Sequence, residues 1–272
     1  MDSNLLEKDI NDILQTALTE ATDTLHLIDP TEAAIQALVD VATAFDGELP
    51  TIRMLAEERA VKETLEDFLI ASRAADLIDA EQLSIRTLTD PAANSLLISD
   101  DSVLALVSAG DRIAALTTDD RSFVESARET YDEQWEDAES FHLRTPPISR
   151  IRDTLAADIS DAARADFDAV LAELNTARGD GNGLDEVTIS LLIAAKNEIL
   201  LYDISKWGED VGIASKATFS RTKTKLEDMG LIATEKVPID VGRPRLRLQL
   251  GDDRLREAAA SDLADVAQDL LN

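Results

Sequence analysis

The chain has 272 residues, 55 acidic against 26 basic, for a formal net charge of −29, with no cysteine and two histidines, His26 and His142. Without cysteine there is no disulfide, thiolate metal site or cysteine nucleophile, and two histidines poorly supply an imidazole metal site. No run approaches the roughly 20 apolar residues that cross a bilayer, and the acidic start Met1-Asp2-Ser3-Asn4 is unlike a secretory signal; a soluble, cytoplasmic protein with no membrane partner is expected.

In chain order, Leu6, Ile10, Ile13, Ala17 and Ala21 recur at helical spacing and predict a first helix over Asn4 to Ala21. Leu25-His26-Leu27-Ile28 reads as a strand stopped by Asp29-Pro30. Thr31 can cap a helix whose face is Ile35, Leu38 and Ala42. Thr51 to Leu55 is a second strand, Glu57 to Ala75 one longer helix, and Leu83 to Leu88 a third strand. Ser95–Ser99, Ser102–Ser108 and Arg112–Thr117 then form a meander, joined at Asp100-Asp101 and Ala109-Gly110-Asp111. Asp119-Asp120 opens a helix through Phe123, Tyr131 and Trp135 to about Phe141. Thr145-Pro146-Pro147 leads into two helical segments broken near Ser160-Asp161, and Gly179 to Gly183 is expected to be flexible and to mark a boundary. The expected fold class is α/β (α+β, mixed sheet) for an N-terminal domain, followed by a C-terminal winged helix-turn-helix and a terminal helix. The expected divisions are 1–142 for a sensor or dimerisation domain, 143–183 for a helical linker, 184–250 for the winged helix-turn-helix and 251–272 for the last helix.

The acidity has two readings: a cationic partner, or adaptation to molar salt. Asp 34, Glu 21, Arg 18 and Lys 8 favour the second, and the distribution of charge then says more than its sum. Residues 185–250 carry ten acids and ten bases, whereas the other 206 residues hold the whole −29. Within that neutral block two stretches lack acids: Ala214 to Lys225, with Lys216, Arg221, Lys223 and Lys225, and Gly242 to Leu250, with Arg243, Arg245 and Arg247.

The block reads helix, helix, helix, strand, strand. Ile204, Trp207 and Val211 form one face of the second helix; Gly208 permits a close helix approach, and Gly212 ends it. Ser215 can cap the third helix, in which Phe219, Thr222, Leu226 and Met229 face inward while Ala217, Ser220, Arg221, Thr224 and Lys225 face away. Leu246, Leu248 and Leu250 alternate with Arg245, Arg247 and Gln249 in the last strand, so one face packs and the other presents arginine. A helix of this kind fits the major groove, and a basic hairpin meets phosphates or the minor groove. The candidate DNA-binding residues are Lys216, Ser220, Arg221, Lys223, Thr224, Lys225, Arg243, Arg245 and Arg247. Trp207 and Phe219 are expected in the core.

The segment GIASKATFSRTKTKLEDMGLI (Gly212 to Ile232), with Gly242-Arg243-Pro244 at the wing tip, resembles winged helix-turn-helix domains. Together with the N-terminal α/β pattern, the helix end Trp135-Glu136-Asp137-Ala138-Glu139 and the halophilic composition, the chain resembles TbsP-type transcriptional regulators of haloarchaea, which are associated with TrmB sugar-responsive regulators. The resemblance implies a sequence-specific regulator of metabolic genes acting on promoter duplex DNA, with a TrmB-type regulator as a further partner. Here the DNA-binding part lies near the C-terminus, whereas TrmB-type proteins usually place it first. TrmB effector domains are related in fold to phospholipase-D-like enzymes, which use a His-x-Lys pair and a downstream Asp; His142-Leu143-Arg144 has no such partner. Neither GxGxxG nor GxxxxGK[ST] occurs, so no enzyme, catalytic residue, cofactor or metal is expected. His26 reads as a satisfied core histidine, and the paired aspartates as a hairpin turn and a helix start. The N-terminal domain is left with ligand sensing, dimerisation or both, and a pocket between the early helices and the meander would support a small-molecule effector. A homodimer is expected because one winged helix reads few base pairs. Its seam is either the N-terminal domain or the tail stripe Leu255, Ala259, Leu263, Val266 and Leu270, which could equally pack on its own domain. The alternative function is an adaptor whose winged helix docks on another transcription factor.

Overall fold

The computed structural model describes residues 4–7, 9–109, 112–174, 176–178, 184–238 and 244–271. The chain forms two compact units, residues 1–66 with 73–143 and residues 67–72 with 144–272.

The first unit runs β1 (Asn4–Glu7), α1 (Ile10–Glu20), β2 (Thr24–Ile28), α2 (Glu32–Thr43), β3 (Thr51–Ala56), α3 (Glu58–Thr64), α4 (Phe68–Asp79), β4 (Leu83–Thr87), β5 (Leu96–Ile98), β6 (Val103–Ala109), β7 (Arg112–Thr118), α5 (Arg121–Asp137) and β8 (Glu139–Ser140). The first turn of α4 belongs to the second unit. Among the described residues one eight-stranded sheet has the order β1-β7-β6-β5-β2-β3-β4-β8. β2, β3 and β4 are parallel and joined by helices; the remaining neighbours are antiparallel. This is the mixed α/β sheet expected from helix–strand alternation followed by a meander. Leu25 to Ile28 are buried on both faces of β2, which is why that strand is a continuous apolar run without alternation. Thr31 caps α2 by accepting from Ala34 N at 3.3 Å, and Asp120 caps α5 by accepting from Phe123 N at 3.0 Å.

Four expectations need correction. Asn4 to Glu7 is a strand paired with β7, and the helix starts only after Asp9, whose carboxylate accepts from Asn11 N at 3.1 Å. The single helix expected over Glu57 to Ala75 is two, because the buried Asp67 starts α4 afresh by accepting from Leu69 N at 2.9 Å. Helix α5 stops at Asp137, and Glu139 and Ser140 instead pair with Thr87 and Arg86 of β4. His26 is buried but not satisfied: its Nδ1 has no hydrogen-bond partner and its Nε2 lies 3.6 Å from Asp132. Burial pushes its pKa down, against the pull of Asp132.

The second unit continues with α6 (Ile148–Asp158), α7 (Asp161–Glu173), α8 (Glu186–Lys196), α9 (Leu201–Val211), α10 (Lys216–Asp228), β9 (Ile232–Val237), β10 (Arg245–Leu250), α11 (Asp253–Glu257) and α12 (Leu263–Leu271). Ser160 caps α7 at the expected break by accepting from Ala163 N at 3.1 Å. The stretch 143–183, read as a linker, supplies Ile151, Leu155 and Phe167 to the same core as Leu191, Phe219 and Leu248. Gly179 to Gly183 lies outside the described residues. The last helix is broken after Glu257, where Ala258 is extended (ψ 137°). Leu255 and Leu263 of the tail stripe are buried in the unit's own core, with Val266 and Leu270 against it.

Gly208 of α9 faces the fully buried ring of Phe219 in α10, and a Cβ at this position would collide with that ring. Overpacking a filled core typically costs about 1–3 kcal/mol. Gly208→Ala should lower unfolding free energy by about that amount in denaturant titrations at fixed salt, and Phe219→Leu in the same chain should restore part of the loss; an unchanged midpoint for Gly208→Ala would contradict the contact.

Candidate nucleic-acid interface

Helix α9, the turn 212–215 and α10 form a helix-turn-helix. Gly212 adopts φ +97° at the end of α9, a conformation that favours glycine, while Gly212 N and Ile213 N donate to Gly208 O at 3.2 and 2.8 Å. Ser215 caps α10 by accepting from Thr218 N at 3.2 Å, and the first turn of α10 carries no acid. Trp207 is buried and donates from Nε1 to Thr154 Oγ1 at 3.0 Å, so it belongs to the core, as does Phe219. Met229, expected to complete that face, is 41% exposed.

On α10, Ala217, Ser220, Arg221, Thr224 and Lys225 are all exposed. Arg221 and Lys225 sit four residues apart, on one side of the helix. Among the described residues neither has an acid within ion-pair distance; Arg221 Nη2 reaches only Thr218 Oγ1 at 3.4 Å. Thr224 donates to Ser220 O at 3.0 Å, leaving its hydroxyl oxygen as an acceptor. Lys216 is exposed but paired with Glu209 of α9, Nζ to Oε2 at 2.6 Å. This hydrogen bond holds the Glu209 pKa down and raises that of Lys216.

Lys223 does not join this face. It follows Phe219 by four residues and so shares its buried side; it is 8% exposed, and its ammonium donates to Glu227 Oε2 at 2.7 Å. Glu227 also accepts from Thr234 Oγ1 at 2.6 Å, and its pKa is lowered, first by Lys223 and then by Thr234. The i+4 spacing to Phe219 was the signal that distinguished Lys223 from its basic neighbours.

The hairpin is antiparallel, with Arg247 opposite Glu235 and Arg245 opposite Val237. Leu248 and Leu250 are buried, and Leu248 N donates to Ile199 O at 3.0 Å, which ties β10 to the chain before α9. Both strand arginines are already engaged within the unit. Arg245 lies 4.2 Å over the Tyr202 ring and 3.4 Å from Asp203; Arg247 lies 3.7 Å from Glu235. Arg243, with the rest of the wing tip at 239–243, falls outside the described residues. Lys236, exposed on β9 and without an acidic partner among the described residues, was not singled out from the sequence, and the burial of its strand shows no alternation that marks it.

In the first unit the aspartate pairs have structural roles. Asp100 accepts from Thr22 Oγ1 at 3.1 Å and Asp23 N at 3.2 Å, and Asp120 caps α5. A cleft of about 560 Å³ opens between the loop after β4 and α5, lined by Thr87, Asp90, Thr130, Tyr131, Gln134 and Asp137 among others, with no basic side chain. No residue of the early helices lines it, so it is not the cleft between those helices and the meander that would support small-molecule gating. No helix among the described residues is long and apolar enough to cross a membrane.

Two family models cover the chain: "Transcriptional regulator TbsP-like, N-terminal" matches residues 2–146, and "Transcriptional regulator TbsP-like, C-terminal HTH domain" matches residues 147–268. No curated protein matches the sequence. Among solved structures the chain is similar to TrmBL2, described as an archaeal chromatin protein with a novel mode of DNA binding, at 18% identity and a TM-score of 0.37; the match covers 52% of this chain and 55% of that one. The chain thus spans about half the length of TrmBL2. It is also similar to NucT from Helicobacter pylori, at 14% identity and a TM-score of 0.36, over 51% of this chain and 98% of that one. Both similarities are too distant to speak for function.

The Lys223–Glu227–Thr234 set ties α10 to β9, and leaving a buried ammonium without its acceptor costs about 1–3 kcal/mol. Glu227→Ala should lower stability by that order in denaturant titration, whereas Asp228→Ala, at an exposed neighbouring position, should stay within about 0.5 kcal/mol; equal effects would remove the structural role assigned to Lys223.

Proposed function

The chain belongs to the TbsP-like transcriptional regulators, and on that premise we propose that it binds promoter DNA as a homodimer, inserting the exposed face of α10 into the major groove, to control metabolic genes. The observation that carries this reading is the α10 face itself: Arg221 and Lys225, without acidic partners among the described residues, beside the short polar side chains Ser220 and Thr224. Small residues let the helix backbone approach the duplex, and arginine can donate to guanine O6 and N7. Lys216, Arg245 and Arg247 flank this face as phosphate contacts, once released from their acids, and Arg243 extends the set from the wing. Lys223 is a structural cation in this scheme. The chain acts without catalysis of its own.

A dimer supplies the second half-site that genomic specificity requires. Leu255 and Leu263 of the tail stripe are buried in its own core, which favours the first unit as the source of the contact. Val107 and Leu116, 46% and 51% exposed on one face of the β6–β7 pair, suit that role. An effector, where one acts, is a small neutral or cationic molecule at the cleft beside Tyr131, whose lining lacks the basic groups an anion needs. At molar salt the Debye length is about 3 Å, so recognition rests on groups that touch the duplex.

Arg221→Ala should weaken binding to a promoter duplex recovered by chromatin immunoprecipitation by about 1–3 kcal/mol, read by fluorescence anisotropy in molar potassium chloride. Lys223→Met should leave affinity within about twofold, since its ammonium faces Glu227. Unchanged affinity for Arg221→Ala would refute the α10 assignment.

A further inference from the structure

We infer that Glu209 is a positioning residue for DNA binding: its carboxylate competes with a DNA phosphate for Lys216, and yields that cation only when the phosphate arrives at contact range. The inference rests on α10 being the helix that meets DNA. Lys216 is the first residue of α10, and Glu209 stands on the preceding helix. One carboxylate holds both donors of this residue: Oε2 takes the Lys216 ammonium at 2.6 Å, and Oε1 accepts from Lys216 N at 3.3 Å. An incoming phosphate oxygen would use the same two donors. Lys216 and Glu209 side chains are 44% and 43% exposed, so solvent and competing oxygens reach them.

The arrangement recurs on the flanking hairpin, where Asp203 holds Arg245 and Glu235 holds Arg247. The electrical neutrality of the block is therefore built largely from pairs, and Lys216 is the exposed paired cation on the helix that also carries Arg221 and Lys225, which have no acidic partner among the described residues, whereas the other paired cation of α10, Lys223, is buried. Exposed pairs of this kind contribute little to stability, so exchange of partner is accessible. Exchange also changes the ion bookkeeping: a lysine that leaves a carboxylate for a phosphate hands the carboxylate back to solution cations, and the net release of counterions is close to nil. Without the carboxylate, the same lysine contributes fully to counterion release.

The test uses the full chain and a fluorescein-labelled mixed-sequence duplex of about 30 base pairs, titrated by anisotropy between about 0.1 and 1 M potassium chloride. Glu209→Gln should bind about two- to fivefold more tightly at the low-salt end, and the slope of log affinity against log salt should steepen by about one per bound winged helix. The double variant Glu209→Gln with Lys216→Met should show neither change. Circular dichroism melts establish that each variant is folded at the titration temperature. Unchanged affinity and slope in Glu209→Gln overturn the inference, and so does a gain that survives in the double variant, because the carboxylate would then act as a general charge and not through Lys216. A wild-type chain that binds no duplex at any salt sinks the reading of α10 itself, and this inference with it.

Discussion

The close approach of α9 and α10 at Gly208 is the contact on which the rest of the second unit depends. A glycine there lets the Phe219 ring fill the space between the helices. Once Phe219 is fixed inward, helical periodicity decides every other side chain of α10: Leu226 and the stem of Lys223 follow it into the core, while Arg221, Thr224 and Lys225 are turned out. The turn is equally constrained, because Gly212 ends α9 with a positive φ and Ser215 restarts the chain as a cap. The exposed polar face is thus a consequence of packing on the opposite side.

Charge is handled in the same local way. The chain carries −29 overall, yet residues 185–250 are neutral, and the structure resolves much of that neutrality into contacts: Lys206 with Asp210, Lys216 with Glu209, Lys223 with Glu227, Arg245 with Asp203 and Arg247 with Glu235. Such pairs screen one another and add little to stability where exposed. What they do is restrict which cations are available to a polyanion. On α10 these are Arg221 and Lys225, which sit on the side of the helix that packing turns outward.

Much of this was legible in the sequence. The caps at Thr31 and Ser215, the helix start at Asp120 and the break at Ser160 were read where short polar residues interrupt the helical pattern, and the meander and the alternation in β10 were clear from period-two patterns. The errors have physical causes. Leu6 happens to lie four residues before Ile10, so a strand that pairs with the distant β7 imitated a helix turn. The break between α3 and α4 was hidden because a buried carboxylate, Asp67, and not a proline or glycine, starts the second helix. The tail stripe has the same spacing whether it meets a second chain or its own core, and only the fold decides. For the candidate site, the acid-free runs fall on α10 and β10, but a basic count along the chain cannot separate Lys223 from Lys225; their angular positions relative to Phe219 can. The acids that hold Lys216, Arg245 and Arg247 lie on other elements, beyond the reach of a local pattern.

The most direct test is whether the outward face of α10 places this regulator on the genome. Chromatin immunoprecipitation with sequencing in the native host, comparing the wild-type chain with Arg221→Ala/Lys225→Ala, decides it, because both side chains are exposed and neither supports the core. Sharp promoter peaks are expected for the wild type, with paired half-sites in the recovered motif, and their loss in the variant at equal protein abundance. Peaks that persist unchanged in the variant would mean that another protein recruits the chain, and would contradict direct recognition of DNA by α10.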